Sequence, residues 1–192
     1  MTSIYQPSDF DNAQSRVLKE CELALQAVNR EAVLTYLNAI ETAEQVFFVG
    51  VGRVMLSLQA VAKRYAHLGI RAVVVGQITE PAIRARDVLI VGSSSGETLF
   101  PVGIARKAKS LGATIIHIGS NPNSQLTDIE DLFIRIPVAS RAHLPDEIES
   151  MQPMTSLFEQ SLLLFGDITA MMMIQKRHLE LEKLWEFHAN LE

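Results

Sequence analysis

The sequence predicts an α/β fold: a three-layer αβα sandwich on a five-stranded, doubly wound parallel sheet. Three observations carry that expectation. Five short β-rich runs are each almost continuously apolar, as strands covered on both faces must be. Stretches with apolar residues at helical spacing precede the first strand and follow the first and the third. Strand and helix therefore alternate, the pattern of parallel βαβ units.

The chain opens with helical periodicity over residues 8–30, marked by Val17, Cys21, Ala24, Leu25 and Val28, and a second helix continues through Val33, Leu34, Leu37 and Ile40. The period then changes. Gln45, Val46, Phe47, Phe48 and Val49 form the first strand-like run, which ends in Gly50, Val51 and Gly52. Met55, Leu58, Ala62, Tyr65 and Leu68 share one face of the next helix, with Gly69 as its stop. Residues 72–76, 87–91, 114–119 and 132–136 read as the second to fifth strands, and 100–109 as the helix after the third. Residues 137–152 break the alternation and read as an ordered loop or a mobile lid. A long helix over 155–177 is apolar on nearly every side, which implies burial against a core and against a second copy as well. Its methionines read as packing. A charged segment from His178 to Glu186 precedes the end. No linker divides the chain, so residues 1–192 are expected to form one domain, with N-terminal helices over about 8–42 and a C-terminal helical segment over about 154–187.

Composition excludes several classes of function. The chain has 192 residues, 48 % hydrophobic and 20 % charged, with a net charge of −5. Lys and Arg are scattered, so no nucleic-acid surface is expected. The single cysteine, Cys21, excludes an internal disulfide and any multi-cysteine metal site, and its spacing places it in the core. No His pair has metal-ligand spacing, so no metal is implied. No apolar run is expected to reach the length of a membrane span, and Met1 to Phe10 lack the regions of a signal peptide; a cytoplasmic protein is expected.

The most informative stretch follows the third strand: Ser93, Ser94, Ser95, Gly96, Glu97 and Thr98. It delivers hydroxyls to a helix N-terminus, where unpaired N–H groups and the helix dipole favour an anion. Gly96 lets backbone approach a ligand closely. No P-loop lysine follows, so a sugar phosphate fits better than a nucleoside triphosphate. Arg53, after Gly50 and Gly52 at the end of the first strand, could pair with a phosphate or a sugar oxygen. Val54 and Met55 follow instead of a third glycine, which argues against a dinucleotide cofactor. Glu97 could orient the loop or be a surface acid. Glu159 stands among Leu157, Phe158 and Leu162, where burial would push a carboxylate toward the range of a general base; an exposed or N-terminal acid favoured by the helix dipole is the plainer alternative. His188, near the end, would ordinarily be a solvated tail residue. His117, within a strand, reads as packed.

Taken together, Gly50 to Arg53, Ser93 to Thr98, Ser120-Asn121-Pro122, Gln152-Pro153-Met154, Leu157 to Gln160 and the terminal run from His188 to Glu192 resemble the 6-phospho-3-hexuloisomerase family of SIS (sugar isomerase) domains. The likeness covers residues 45–192 in detail. It implies interconversion of D-arabino-hex-3-ulose 6-phosphate and fructose 6-phosphate through an enediol, without metal or redox cofactor, following a synthase that joins formaldehyde to ribulose 5-phosphate. It also implies a homotetramer with sites at subunit contacts. It assigns catalysis to Glu159 and His188 and phosphate binding to Ser93, Ser95 and Thr98, with Gly96 supplying backbone. The chain departs from the family pattern at Val54, usually serine, and at Ser94, often glycine. Two other readings stay open: an isomerase of another phosphorylated sugar, and a sugar-phosphate sensor that binds without reacting.

Overall fold

The computed structural model of the chain describes residues 4–140 and 143–191. Met1, Thr2, Ser3, Arg141, Ala142 and Glu192 lie outside the described residues, so the extreme N-terminus, part of the 137–152 loop and the last residue of the terminal motif are known from sequence only.

Five strands form one parallel sheet in the order β2-β1-β3-β4-β5. They are β1 Val46–Val49, β2 Ala72–Val74, β3 Val88–Gly92, β4 Thr114–Gly119 and β5 Leu132–Arg135. All five expected strands are present. β2 is shorter than its apolar run because Gly76, at φ +92°, turns the chain away.

Side chains alternate across the sheet, as the pleat requires. Val46, Phe48, Val88, Ile90, Ile116, Ile118 and Ile134 meet α1 (Pro7–Gln26), α2 (Arg30–Thr42), α3 (Gly52–His67) and α5 (Ser156–Lys176). Phe47, Val49, Leu89, Val91 and Ile115 meet α4 (Leu99–Ser110) and the loop residues Ile83, Leu126 and Ile129. The result is the expected three-layer sandwich, with most helices on one face.

Two contacts fix the helical layer. A Cβ at Gly166 of α5 would lie 2.2 Å from a Val61 methyl of α3, so only glycine permits this approach. Below it, the buried Tyr36 and Tyr65 hydroxyls are 2.8 Å apart, and Tyr65 is 2.7 Å from the Thr169 hydroxyl. This chain of hydroxyls ties α2, α3 and α5 together. Burial drives the Tyr65 phenol up to about 12. Cys21 is buried as expected, and burial, followed by the charge of Glu20, raises its thiol pKa.

One expectation needs correction. With a mean hydropathy of 1.4 over its best window, α5 is long and apolar enough to cross a membrane by length and composition. In this fold 56 % of that window is buried inside the protein, so its apolarity serves the core. Leu164, Ile168 and Met171 remain exposed on its outer side, and Met173 is buried.

The strand order positions the site. From β1 the chain steps outward to β2, and it then returns past β1 to start β3. The β1→β2 crossover through α3 and the β3→β4 crossover through α4 run in opposite directions along the sheet, so α3 and α4 lie on opposite faces. A crevice therefore opens at the carboxyl ends of β1 and β3, where open α/β sheets bind ligands.

Candidate active site

That crevice holds a cavity of about 370 Å³ lined by Val51, Gly52, Arg53, Val54, Gly92, Ser93, Ser94, Ser95, Thr98, Ser140, Thr155 and Glu159. A larger cavity of about 480 Å³ lies between α1, α2 and α5, but its walls are mainly apolar (Leu25, Val28, Val33, Leu34, Phe165, Ile168, Met172), with Glu22, Gln26, Arg30 and Thr169 as the polar members of its lining.

Three helices start at the polar cavity. Their N-cap residues, Val51, Thr98 and Thr155, all line it. None of these side chains caps its own helix. Val51 has no polar group, Thr98 turns its hydroxyl to Ser93 Oγ at 3.2 Å, and Thr155 turns its hydroxyl to Glu159 Oε1 at 2.8 Å. The positive ends of three helix dipoles thus face one space, each worth about 0.3–1 kcal/mol toward an anion and more where solvent is excluded. This local field offsets the net charge of −5.

The serine loop is stitched to the end of β4. The Ser94 carbonyl accepts from Ser120 N (2.9 Å) and Asn121 N (3.1 Å), and the Ser95 carbonyl accepts from Asn121 Nδ2 (3.2 Å). Gly96, at φ +67°, closes the turn, and its N–H donates to Ser93 Oγ at 3.1 Å. Ser94 Oγ lies 3.1 Å from Ser120 Oγ, so the side chain at this departure from the family pattern is accommodated beside β4. At the other departure, a Val54 methyl packs 2.9 Å from where a Gly92 Cβ would stand.

Glu159 is brought to the same cavity. Its side chain is 8 % exposed, while that of its ion-pair partner Arg53 is 65 % exposed. Arg53 Nε donates to Oε2, Thr155 Oγ1 donates to Oε1, and Ser57 Oγ donates to the Glu159 carbonyl at 2.8 Å. Of the plainer reading, exposure is overturned, because α3 and α5 bury Glu159 between them, while its place as an acid in the first turn of α5 stands.

The remaining candidates are placed differently. Gly52, at φ +56°, takes the left-handed turn that starts α3. Gly50 sits behind it, where a Cβ would press on Leu58 at 3.1 Å, and does not line the cavity. Glu97 points outward and accepts from Gln125 N (2.9 Å) and Gln125 Nε2 (2.6 Å), which fits the surface-acid alternative. His188 stacks on His67, with ring centroids 5.1 Å apart, at the C-terminal end of α3. Arg53 and Glu159 are at the N-terminal end, about 20 Å away at 1.5 Å per helical residue. Within one protomer His188 and Glu159 are not brought together.

Sequence reasoning missed three contributors. Thr155 could have been found, since it lies one helical turn before Glu159, and Ser57 likewise stands one turn after Arg53. Ser140 carries no local signal, because a long-range fold of the 137–152 loop places it. That loop is tied down on both sides of the undescribed pair. Arg135 Nη2 donates to Asp146 Oδ1 at 2.8 Å, and Glu147 accepts from Ser140 N and Leu144 N, both at 3.1 Å. Glu20 of α1 accepts from Ser150 Oγ (2.7 Å), Met151 N (3.1 Å) and Gln152 Nε2 (3.1 Å).

Comparison with known proteins bears on the fold and the family. The family described as SIS domain matches residues 39–166. The chain is 35 % identical over 178 residues to a Bacillus subtilis protein named 3-hexulose-6-phosphate isomerase, covering 93 % of this chain and 96 % of that one. It is 36 % identical to a Mycobacterium gastri protein of the same name, covering 96 % of this chain and 92 % of the other. A crystal structure of a Methanococcus jannaschii protein, from which a molecular function of 3-hexulose-6-phosphate isomerase was inferred, superposes with a TM-score of 0.81 at 27 % identity, covering 94 % and 99 % of the two chains. With its fold, its match and its relatives in accord, this chain belongs to the SIS domain family, in the branch of the 3-hexulose-6-phosphate isomerases.

Proposed function

We propose that the chain is an isomerase that interconverts D-arabino-hex-3-ulose 6-phosphate and fructose 6-phosphate. One observation carries the reading: Glu159 lines the same cavity as Ser93, Ser94, Ser95 and Thr98. Ser93, Ser95 and Thr98, with the N-termini of α3 and α4, bind the phosphate dianion. The sugar then extends toward Glu159.

The reaction needs only proton movement. Glu159 removes the C2 proton, the C–H electron pair becomes the C2–C3 double bond, and the C3 carbonyl oxygen is protonated. The O2 proton then leaves as C2 becomes a carbonyl, and C3 takes up the proton held by Glu159. Atoms and electrons balance without an oxidant. For Oε2 to act, Arg53 must release it, and the largely exposed guanidinium is free to turn to a sugar oxygen. His188, from a neighbouring copy, carries protons between the two oxygens.

Assembly is supported by the exposed Leu34 and Ile168 beside the apolar cavity and by Met171; we take the whole chain as one SIS unit within a cytoplasmic homotetramer. Its place is after an aldol-type joining of formaldehyde to ribulose 5-phosphate.

Turnover of a panel of phosphosugars tests the proposal, with the 3-ketohexose 6-phosphate expected to be converted fastest. Tight binding of phosphosugars with no turnover of any would establish the sensor reading instead. Glu159→Gln and His188→Ala oligomers are each expected to be inactive, and mixed oligomers to regain activity. Absence of complementation would refute a site shared between copies.

A further inference from the structure

His117 is fully buried and has no part in the chemistry above. It lies on β4 directly beneath the serine loop. Its Nε2 is 2.9 Å from the Ser93 carbonyl oxygen, and its Nδ1 is 2.7 Å from Glu130 Oε2. The ring stacks on Phe133 with centroids 4.8 Å apart. The surroundings are cut to fit it: a Cβ at Gly119 would stand 2.3 Å from Nε2, and one at Gly96 3.2 Å from Cε1.

The chemistry of the partners fixes the protons. A carbonyl oxygen only accepts, so Nε2 carries hydrogen. The other nitrogen faces Glu130 Oε2 at 2.7 Å, which orients the ring. Its contribution is directional. A trans peptide sets its N–H opposite its C=O. With the Ser93 carbonyl hooked inward by His117 and the Ser94 carbonyl held by Ser120 and Asn121, the N–H groups of Ser94 and Ser95 point the other way, to the cavity side. The Ser93 carbonyl also accepts from Gly96 N at 3.2 Å, within the turn itself; without the buried hook the Ser93–Ser94 peptide keeps only that bond and can turn to present a carbonyl to the anion.

We propose that His117, oriented by Glu130, is a positioning residue that locks the phosphate loop with its amides toward the cavity. This inference rests on the phosphate-site reading, and its test separates the two. Calorimetric titration with fructose 6-phosphate and with inorganic phosphate is run on the wild-type protein, His117→Gln, His117→Asn and Glu130→Ala, alongside turnover kinetics and thermal melts. Gln can place an N–H where Nε2 stands, whereas Asn reaches only toward Glu130. His117→Asn is expected to weaken binding of both ligands and raise KM about tenfold, with kcat held within about twofold, while His117→Gln stays within about threefold of wild type. Glu130→Ala, which frees the ring, falls between them. A purely structural role would lower the melting temperature of both His117 variants and leave affinity unmoved. Equal affinities for the Gln and Asn variants, or a loss confined to kcat, would overturn the inference. If either His117 variant fails to fold, Glu130→Ala decides: unchanged affinity overturns the hook. Failure of the wild-type protein to bind either ligand would overturn the phosphate site itself, and the hook with it.

Discussion

Glu159→Gln separates binding from chemistry. The substitution keeps the shape of a side chain held between α3 and α5. Its amide oxygen can still accept from Arg53, and the Thr155 hydroxyl, now the donor to Glu159 Oε1 at 2.8 Å, can rotate and accept from the new NH₂. The ion pair is lost, but Gln leaves no buried charge unpaired and the Arg53 side chain, 65 % exposed, stays hydrated, so the fold is expected to tolerate the change. The proposed phosphate contacts, in the loop between β3 and α4, are untouched. What disappears is the base. General-base removal costs about 10²–10⁴-fold in rate, or about 2.7–5.5 kcal/mol in the barrier. The assay follows fructose 6-phosphate formation through coupled reduction of a nicotinamide, with KM and the melting temperature measured on the same preparation. The expected outcome is a kcat lower by that factor with KM within about threefold, the signature of an interaction made in the transition state. A kcat near wild type, or a raised KM at unchanged kcat, would refute the assignment of Glu159 as base.

Other expectations follow from the same geometry. Thr98→Val removes a hydroxyl facing Ser93 and should raise KM for phosphosugars about fivefold while sparing stability, since Thr98 does not cap α4; a titration with inorganic phosphate checks it. Gly166→Ala drives a Cβ to 2.2 Å from a stiff Val61 methyl and should destabilise the fold by about 1–3 kcal/mol in chemical denaturation, and Val61→Ala in the same chain should recover part of that. Glu20 governs an acid limb of stability. Burial raises its pKa, but hydrogen bonds from Ser150, Met151 and Gln152 and the charge of Arg16 outweigh burial and hold it below the ordinary 4.5. A carboxyl with a lowered folded pKa stabilises fully above its unfolded value and loses that contribution as pH falls through its folded value. Stability should therefore decline as pH drops below about 4.5, and Glu20→Gln should flatten that decline; an identical pH profile in the two proteins would refute the clamp.

The sequence alone determined the architecture. Continuous apolar strands report burial on both faces, and a period of 2 or 3.6 is a local property that each segment carries by itself. The serine loop was legible for the same reason: strand, hydroxyls, glycine and helix start are contiguous, so local chemistry already builds half of an anion site. Glu159 was not legible in this way. A carboxylate in an apolar helix reads equally as misplaced core or exposed acid until Arg53 and Ser57, over a hundred residues earlier in the chain, are seen to close on it. Ser140, Glu20 and His117 gained their roles only through contacts remote in sequence, with the serine loop, the 137–152 loop and α1 meeting across the fold. Tertiary structure also set the limit on one protomer. The same α3 that presents Arg53 at one end holds His67 and the stacked His188 at the other, because a helix of 16 residues is a rigid spacer. Local pattern fixes which elements form. Which side chains converge on a cavity is decided by how a sheet's crossovers bring distant helix ends to one place.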